Sequence, residues 1–231
     1  MQILAVDTAT KSCSVAIASE ESLIAEATIV SSQTHSRHLM TLIDRVLQMA
    51  QLQIQDLDGF AVTKGPGSFT GLRIGIGVIK GLAAATDKPL LGVPTLDVLA
   101  RQTGVVHSLI IPVIDARRQE VYFSRYRYHN GSLENETAVR ALPIEKAIEG
   151  IEESCVFIGD GALLYREEIS KRLGDVARFA PSYQHTIRGS TVALMGIERL
   201  LKGEVDCAET FVPYYVRKSD AEISSDNKKK H

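Results

Sequence analysis

The sequence predicts an α/β protein made of two duplicated lobes, each with a mixed sheet and flanking helices. Three observations point there. Short apolar segments of strand length alternate with longer ones whose apolar residues recur at helical spacing. Two strand-like segments end in aspartate, at Asp7 and at Asp115, 108 residues apart. Two glycine turns, Gly65-Pro66-Gly67 and Gly159-Asp160-Gly161, each follow a strand and open a helix, and they lie about 95 residues apart. The division implied is an N-terminal lobe over 1–106, a C-terminal lobe over 107–217, and a polar tail over 218–231 whose composition predicts disorder.

The elements follow in order. Residues 2–6 read as a buried strand, 7–12 as a polar turn, and 13–18 as a second strand, giving a hairpin. A third strand fits 23–30. Ser31-Ser32-Gln33-Thr34 offers helix-capping hydroxyls, and Leu39, Leu42, Ile43, Val46, Leu47 and Ala50 then fall at helical spacing. Residues 59–63 form a short strand before the first glycine turn. Ser68 or Thr70 can cap the helix predicted over 71–85. A strand at 90–93 and a helix from 95 to about 102 close the first half. The second half repeats the plan: strands over 109–114 and 120–128, a strand at 156–158, and helices over 162–173 and 186–202. Residues 212–216 read as extended.

Composition narrows the class of protein. The 231 residues carry 26 Lys and Arg against 28 Asp and Glu, a formal charge of −2, with 45% hydrophobic residues. That is ordinary for a folded domain and excludes a globally basic nucleic-acid binder. Three widely spaced cysteines, Cys13, Cys155 and Cys207, suit a reducing compartment. The first residues lack a basic leader, and the longest apolar stretch, near 74–85, is interrupted by Lys80, so the expectation is a cytoplasmic protein with no membrane segment. Charge is uneven: the first 106 residues hold eight basic and nine acidic side chains, far fewer than the remainder. A charge-poor half implies apolar surface hidden in its own core or against a partner.

The densest chemical signal is Thr63-Lys64-Gly65-Pro66-Gly67-Ser68-Phe69-Thr70-Gly71-Leu72-Arg73. Glycines before a helix N-terminus can bring backbone N–H groups up to an anion, so Asp7, Gly65, Pro66, Gly67, Ser68 and Thr70 form a candidate phosphate loop. The other reading is a tight turn with a capped helix, and the spacing matches neither a P-loop nor a dinucleotide fingerprint. The helix beyond is unusual. Gly71, Gly75, Gly77 and Gly81 each cost about 0.5–1 kcal/mol relative to alanine, which predicts close approach of another backbone. His35 and His38 are three apart on a helix, yet no HExxH or CxxC supports a metal site. No nucleophile elbow or Cys–His pair is evident.

These residues resemble a known family. Ile3-Leu4-Ala5-Val6-Asp7-Thr8-Ala9-Thr10, the Gly65–Gly75 block, Ile114-Asp115-Ala116-Arg117 with Glu120-Val121-Tyr122, and Pro213 with Tyr215-Val216-Arg217 are similar to the TsaB (YeaZ) family. The resemblance implies an actin/hexokinase-like (ASKHA) fold. It implies a role in making N6-threonylcarbamoyladenosine at position 37 of tRNAs that read codons beginning with A. In that system TsaD transfers the threonylcarbamoyl group from its adenylate and the ATPase TsaE joins. TsaB is the partner or activator, also self-associating as a homodimer through its N-terminal helices, with tRNA met only through the complex. The interface residues expected here are His35, Arg37, Met40, Gly71, Arg73, Gly75, Ile76 and Lys80. TsaD-like proteins bear a His-x-x-x-His pair where this chain has Thr95 and Leu99, so no metal centre and no catalysis by the chain alone are expected. No cofactor is expected on the isolated chain, with ATP and magnesium reserved for the complex. The competing reading is an ASKHA-type ATPase or kinase using Asp7 and the Gly65-Pro66-Gly67 turn.

Overall fold

A computed structural model describes residues 1–31 and 35–217. Most of the expected cap at 31–34 and the expected tail at 218–231 lie outside the described residues. The N-terminal half contains β1 (Gln2–Asp7), β2 (Ser12–Ser19), β3 (Leu23–Val30), α1 (His35–Ala50), β4 (Gly59–Gly65), α2 (Phe69–Thr86), β5 (Leu90–Pro94) and α3 (Thr95–Gln102). The C-terminal half contains β6 (Leu109–Arg117), β7 (Glu120–Phe123), β8 (Tyr126–His129), β9 (Ser132–Asn135), β10 (Arg140–Pro143), α4 (Ile144–Ala147), β11 (Cys155–Ile158), α5 (Asp160–Leu164), α6 (Arg166–Leu173), β12 (Ala177–Phe179) and α7 (Gly189–Leu201).

The duplication is explicit in the sheets. The first runs β3-β2-β1-β4-β5 and the second β10-β7-β6-β11-β12. In each, the first three strands pair antiparallel and the last two join in parallel. β1, which ends at Asp7, and β6, which carries Asp115 and runs two residues past it to Arg117, therefore occupy equivalent central positions. Ile3, Leu4, Ala5 and Val6 are fully buried, as a central strand covered on both faces requires.

Three sequence expectations are corrected. The single strand over 120–128 is two, because buried Ser124 turns aside to bond the Thr137 carbonyl before Tyr126 rejoins β6 opposite Ile110. The helix over 162–173 breaks at Tyr165 into α5 and α6. The helix expected from Thr186 starts at Gly189, because its first turn is tied down by a distant strand. The Glu26 carboxylate of β3 accepts from Ser190 N at 3.1 Å and from Arg188 Nε at 3.1 Å, and Ser14 Oγ accepts from Gly189 N at 2.8 Å. Burial alone raises the Glu26 pKa, but the Arg188 and Ser190 bonds outweigh it and hold the carboxyl below its usual range.

That anchoring also brings the chain back onto the first sheet. α7 packs on β1, β2, β4 and β5 rather than on the second sheet. Gly189 lies against the backbone of Val15 and Ala16, and Gly196 against Ala61 Cβ. Residues 206–217 likewise return to the first lobe: Gly92 N donates to Asp206 Oδ2 at 2.8 Å, and Tyr214 N donates to the Lys64 carbonyl at 2.6 Å. One core runs from the first sheet through α3 to the near face of β6, and a second lies between β6, β11 and α4–α6.

Candidate functional site

Asp7 ends β1 at the junction of the lobes and is fully buried. Its Oδ1 accepts from Thr63 Oγ1 at 2.8 Å and from Ala9 N at 3.1 Å, while the buried Oδ2 meets no hydrogen-bond partner among the described residues. Burial, with a smaller contribution from the like charge of Asp160, raises its pKa from 3.8 to about 7. The same apolar surroundings, with Asp7 adding to them, push the neighbouring Cys13 thiol to about 12.

The sign of the linkage is clear. A carboxyl with a raised folded pKa binds its proton more tightly in the fold, so its contribution is complete below about pH 4 and is lost as pH rises toward 7. The rise corresponds to about 4 kcal/mol. Urea unfolding at pH 5 and at pH 8 will show wild-type stability falling across this window more steeply than that of Asp7→Asn. Parallel profiles refute the assignment.

The glycine turn beside Asp7 is packed by the chain itself. A Cβ on Gly67 would stand 2.4 Å from the Ala9 carbonyl oxygen, and one on Gly65, at φ +117°, would stand 2.4 Å from the Tyr214 carbonyl oxygen. Gly65 N donates to Thr95 Oγ1 at 3.1 Å, Ser68 N to Ala9 O at 2.7 Å, and Gly71 N to the capping Ser68 Oγ at 3.2 Å. Pro66 is buried, and Thr70 is exposed without capping the helix. The turn therefore closes on the β1–β2 turn, on α3 and on the C-terminal segment. Thr95 and Leu99, the positions compared with histidines, are both buried; Thr95 holds Gly65, and Leu99 packs beside Gly159. Among the described residues no group of three or more His, Cys, Asp or Glu is arranged to hold a metal.

α2 is the second feature, and its glycines divide into two pairs. Gly71 and Gly75 lie against Thr8: a Cβ would stand 2.0 Å from the Thr8 carbonyl oxygen at Gly71 and 2.3 Å from Thr8 Oγ1 at Gly75. Both glycines, together with Ile76, were expected on a partner surface; they face the chain's own core instead. Gly77 and Gly81 are exposed, and among the described residues a Cβ there meets nothing within 4 Å. At 18 residues and mean hydropathy 1.2, α2 is the one described helix that passes a length-and-composition test for a membrane span. Leu72, Ile76, Ile79 and Ala83, however, bury one face of it in the core.

The outward stripe bears Arg73, Gly77 and Gly81, with Ile74, Val78 and Leu82 half-buried along it. Lys80 is half-buried, and its Nζ donates to the Phe211 carbonyl at 3.2 Å. On neighbouring α1, Arg37 is exposed, Met40 is 52% exposed and Met49 58%. His35 is half-buried beside Gly71, and burial lowers its pKa.

Sequence reasoning passed over Thr8, whose only local signal was its place after Asp7, and His185. The buried His185 ring holds the second glycine turn, with Nδ1 3.1 Å from Gly159 N and Nε2 2.8 Å from the Ala180 carbonyl.

Comparison with known proteins fixes the family. A family model described as TsaD, tRNA N6-adenosine threonylcarbamoyltransferase, matches residues 24–225. The tRNA threonylcarbamoyladenosine biosynthesis protein TsaB of Bacillus subtilis (strain 168) is 33% identical over 225 residues, covering 96% of each chain. The chain belongs to the TsaB/YeaZ family. The solved structure of YeaZ from Pseudomonas aeruginosa superposes on this member with a TM-score of 0.77 at 29% identity, covering 93% of this chain and 100% of that one. A ROK hexokinase from Thermus thermophilus, at 10% identity and a TM-score of 0.51, covers 88% of this chain and 100% of its own; it shares the fold alone. This chain thus has the actin/hexokinase-like fold, two paired sheets with flanking helices.

Proposed function

We propose that this chain is a non-catalytic partner subunit in tRNA threonylcarbamoyladenosine biosynthesis. In this reading it binds and activates TsaD, with TsaE, in transfer of the threonylcarbamoyl group from threonylcarbamoyl-AMP to tRNA adenosine 37, in the cytoplasm. It binds no cofactor alone, ATP and magnesium acting in the complex, and tRNA is met through that complex. The observation that carries the reading is the outward face of α2. Gly77 and Gly81 sit one turn apart with open space above them, beside half-buried Ile74, Val78 and Leu82. A helix that gives up side chains on its exposed side is built for a second helix to approach closely. The exposed methionines of the neighbouring helix α1 add adaptable apolar surface to this lobe. Self-association uses the same face, in competition with TsaD.

Mixing the full chain with its TsaD counterpart, with and without nucleotide and TsaE, should give one joint peak on size-exclusion chromatography. Two separate peaks under every condition refute the proposal. The ATPase or kinase alternative is disfavoured by the sealed Asp7 carboxyl and by the glycine turn's internal bonds. Calorimetric titration of the isolated chain with ATP and magnesium should give no binding heat. Micromolar binding abolished by Asp7→Ala would restore the alternative.

A further inference from the structure

Arg73 opens the exposed stripe of α2, and its guanidinium is held rather than free to wander. It lies over the Phe69 ring at 3.8 Å. Phe69 in turn stacks on Tyr215 with centroids 4.8 Å apart and planes at 27°. Arg73 Nε donates to Tyr215 Oη at 3.1 Å, which closes the ring of contacts. Tyr215 owes its position to the C-terminal segment. Phe211 packs on Gly92, Tyr214 N bonds the Lys64 carbonyl, and Arg217 pairs with Glu120 at 2.6 Å and donates to the Ala116 carbonyl at 3.2 Å. This strap crosses both lobes and brings together three blocks far apart in the sequence: the glycine block, the Asp115–Glu120 turn and the Pro213–Arg217 run.

A guanidinium has five donors. Nε is used, and among the described residues neither Nη1 nor Nη2 of Arg73 has a hydrogen bond or an ion pair. The exposed edge of the platform is therefore the paired-donor fork that recognises a carboxylate bidentately. Its rotamer freedom is already given up, so binding does not have to remove it. Arg and Tyr are also the residue types that most often anchor protein interfaces.

Building on the function proposed above, we propose that Arg73, shelved on Phe69 and Tyr215, takes a carboxylate side chain of the heterologous protein partner. Charge decides between that partner and a second copy of this chain. α1 and α2 together bear Arg37, Arg45, Arg73 and Lys80 against a single carboxylate, Asp44. Two copies face to face set like charges together, whereas a partner with an acidic face complements them. Arg73 thus biases the shared surface toward the heteromer.

The test measures TsaD affinity by calorimetry and self-association by sedimentation for Arg73→Lys, Arg73→Glu, Tyr215→Phe and Gly81→Leu, each checked for a melting temperature no lower than wild type. Arg73→Lys keeps the charge and loses the fork, so heteromer affinity should fall about tenfold. Arg73→Glu should weaken it more than about a hundredfold while leaving self-association equal or stronger. Tyr215→Phe keeps the stack and loses the Nε bond, giving an intermediate loss. Heteromer affinity within threefold of wild type for both Arg73 variants, with Gly81→Leu abolishing binding, overturns the clamp and spares the face. Equal weakening of self-association and heteromer formation by Arg73→Glu overturns the claimed selectivity. If Gly81→Leu also binds normally, the proposed surface itself fails.

Discussion

Gly71→Ala will destabilise the protein by about 2–3 kcal/mol, while Gly77→Ala, six residues further along the same helix, will stabilise it by about 0.5–1 kcal/mol. Helix propensity alone predicts the same small gain at both sites. The surroundings differ. At Gly71 the new methyl would stand 2.0 Å from the Thr8 carbonyl oxygen, a backbone atom that no rotamer change can move. The Thr8 hydroxyl is also tied to Gly71, donating to its carbonyl at 2.8 Å, so the β1–β2 turn and α2 cannot part without breaking that bond. At Gly77 the methyl meets nothing within 4 Å among the described residues. Gly75→Ala falls between, because its obstacle is the Thr8 hydroxyl at 2.3 Å, which can rotate away by giving up its bond. For a chain of this size the Gly71 loss lowers the melting temperature by roughly 5–10 °C in a thermal scan. Equal melting temperatures for Gly71→Ala and Gly77→Ala would show that the close approach to Thr8 does not constrain the fold.

The contrast marks where local sequence stops being informative. Four glycines in one helix announce a close approach, but their spacing does not say on which side. Gly71 and Gly75 answer to Thr8, 63 residues away for Gly71, and only the folded register of β1 against β4 reveals it. The duplicated sheets were legible because each strand's run and each glycine turn recur in the same order, and strand order follows from local pairing and parallel crossovers. The start of α7 was not legible: its first turn is fixed by Glu26 of β3 and Ser14 of β2, more than 160 residues earlier, so a helix that seems to begin at Thr186 begins at Gly189. Asp7 was legible as a special position at a strand end. Its burial was not, because Ala9, Thr63 and the closed glycine turn seal it only in three dimensions. The strap was visible only as a resemblance at Pro213, Tyr215 and Arg217; nothing in an extended stretch of mixed polarity says that it crosses two lobes.

Gly81→Leu will leave the monomer as stable as wild type, or up to about 1 kcal/mol more stable, and will nonetheless abolish association through α2. Leucine is a strong helix former, Gly81 is exposed, and a Cβ there meets nothing within 4 Å among the described residues, so the first carbon of the new side chain is unopposed. The same openness is what a docking helix would use. Helices pack with axes about 8–10 Å apart, and the lower end of that range is reached where small residues face each other. Gly77 and Gly81 lie four apart, hence on one face, and form a notch flanked by Val78 and Leu82. A leucine there fills the notch and holds a partner helix off by several ångströms along its length, forfeiting contacts well beyond position 81. Both self-association and TsaD binding should weaken more than about a hundredfold, or roughly 3 kcal/mol, in sedimentation and calorimetric titrations. Gly77→Leu should behave alike. Stability that holds or rises while binding is lost separates an interface effect from a folding defect. A variant that melts higher and no longer binds places the function on this face; one that melts higher and binds as wild type leaves Gly77 and Gly81 without a role.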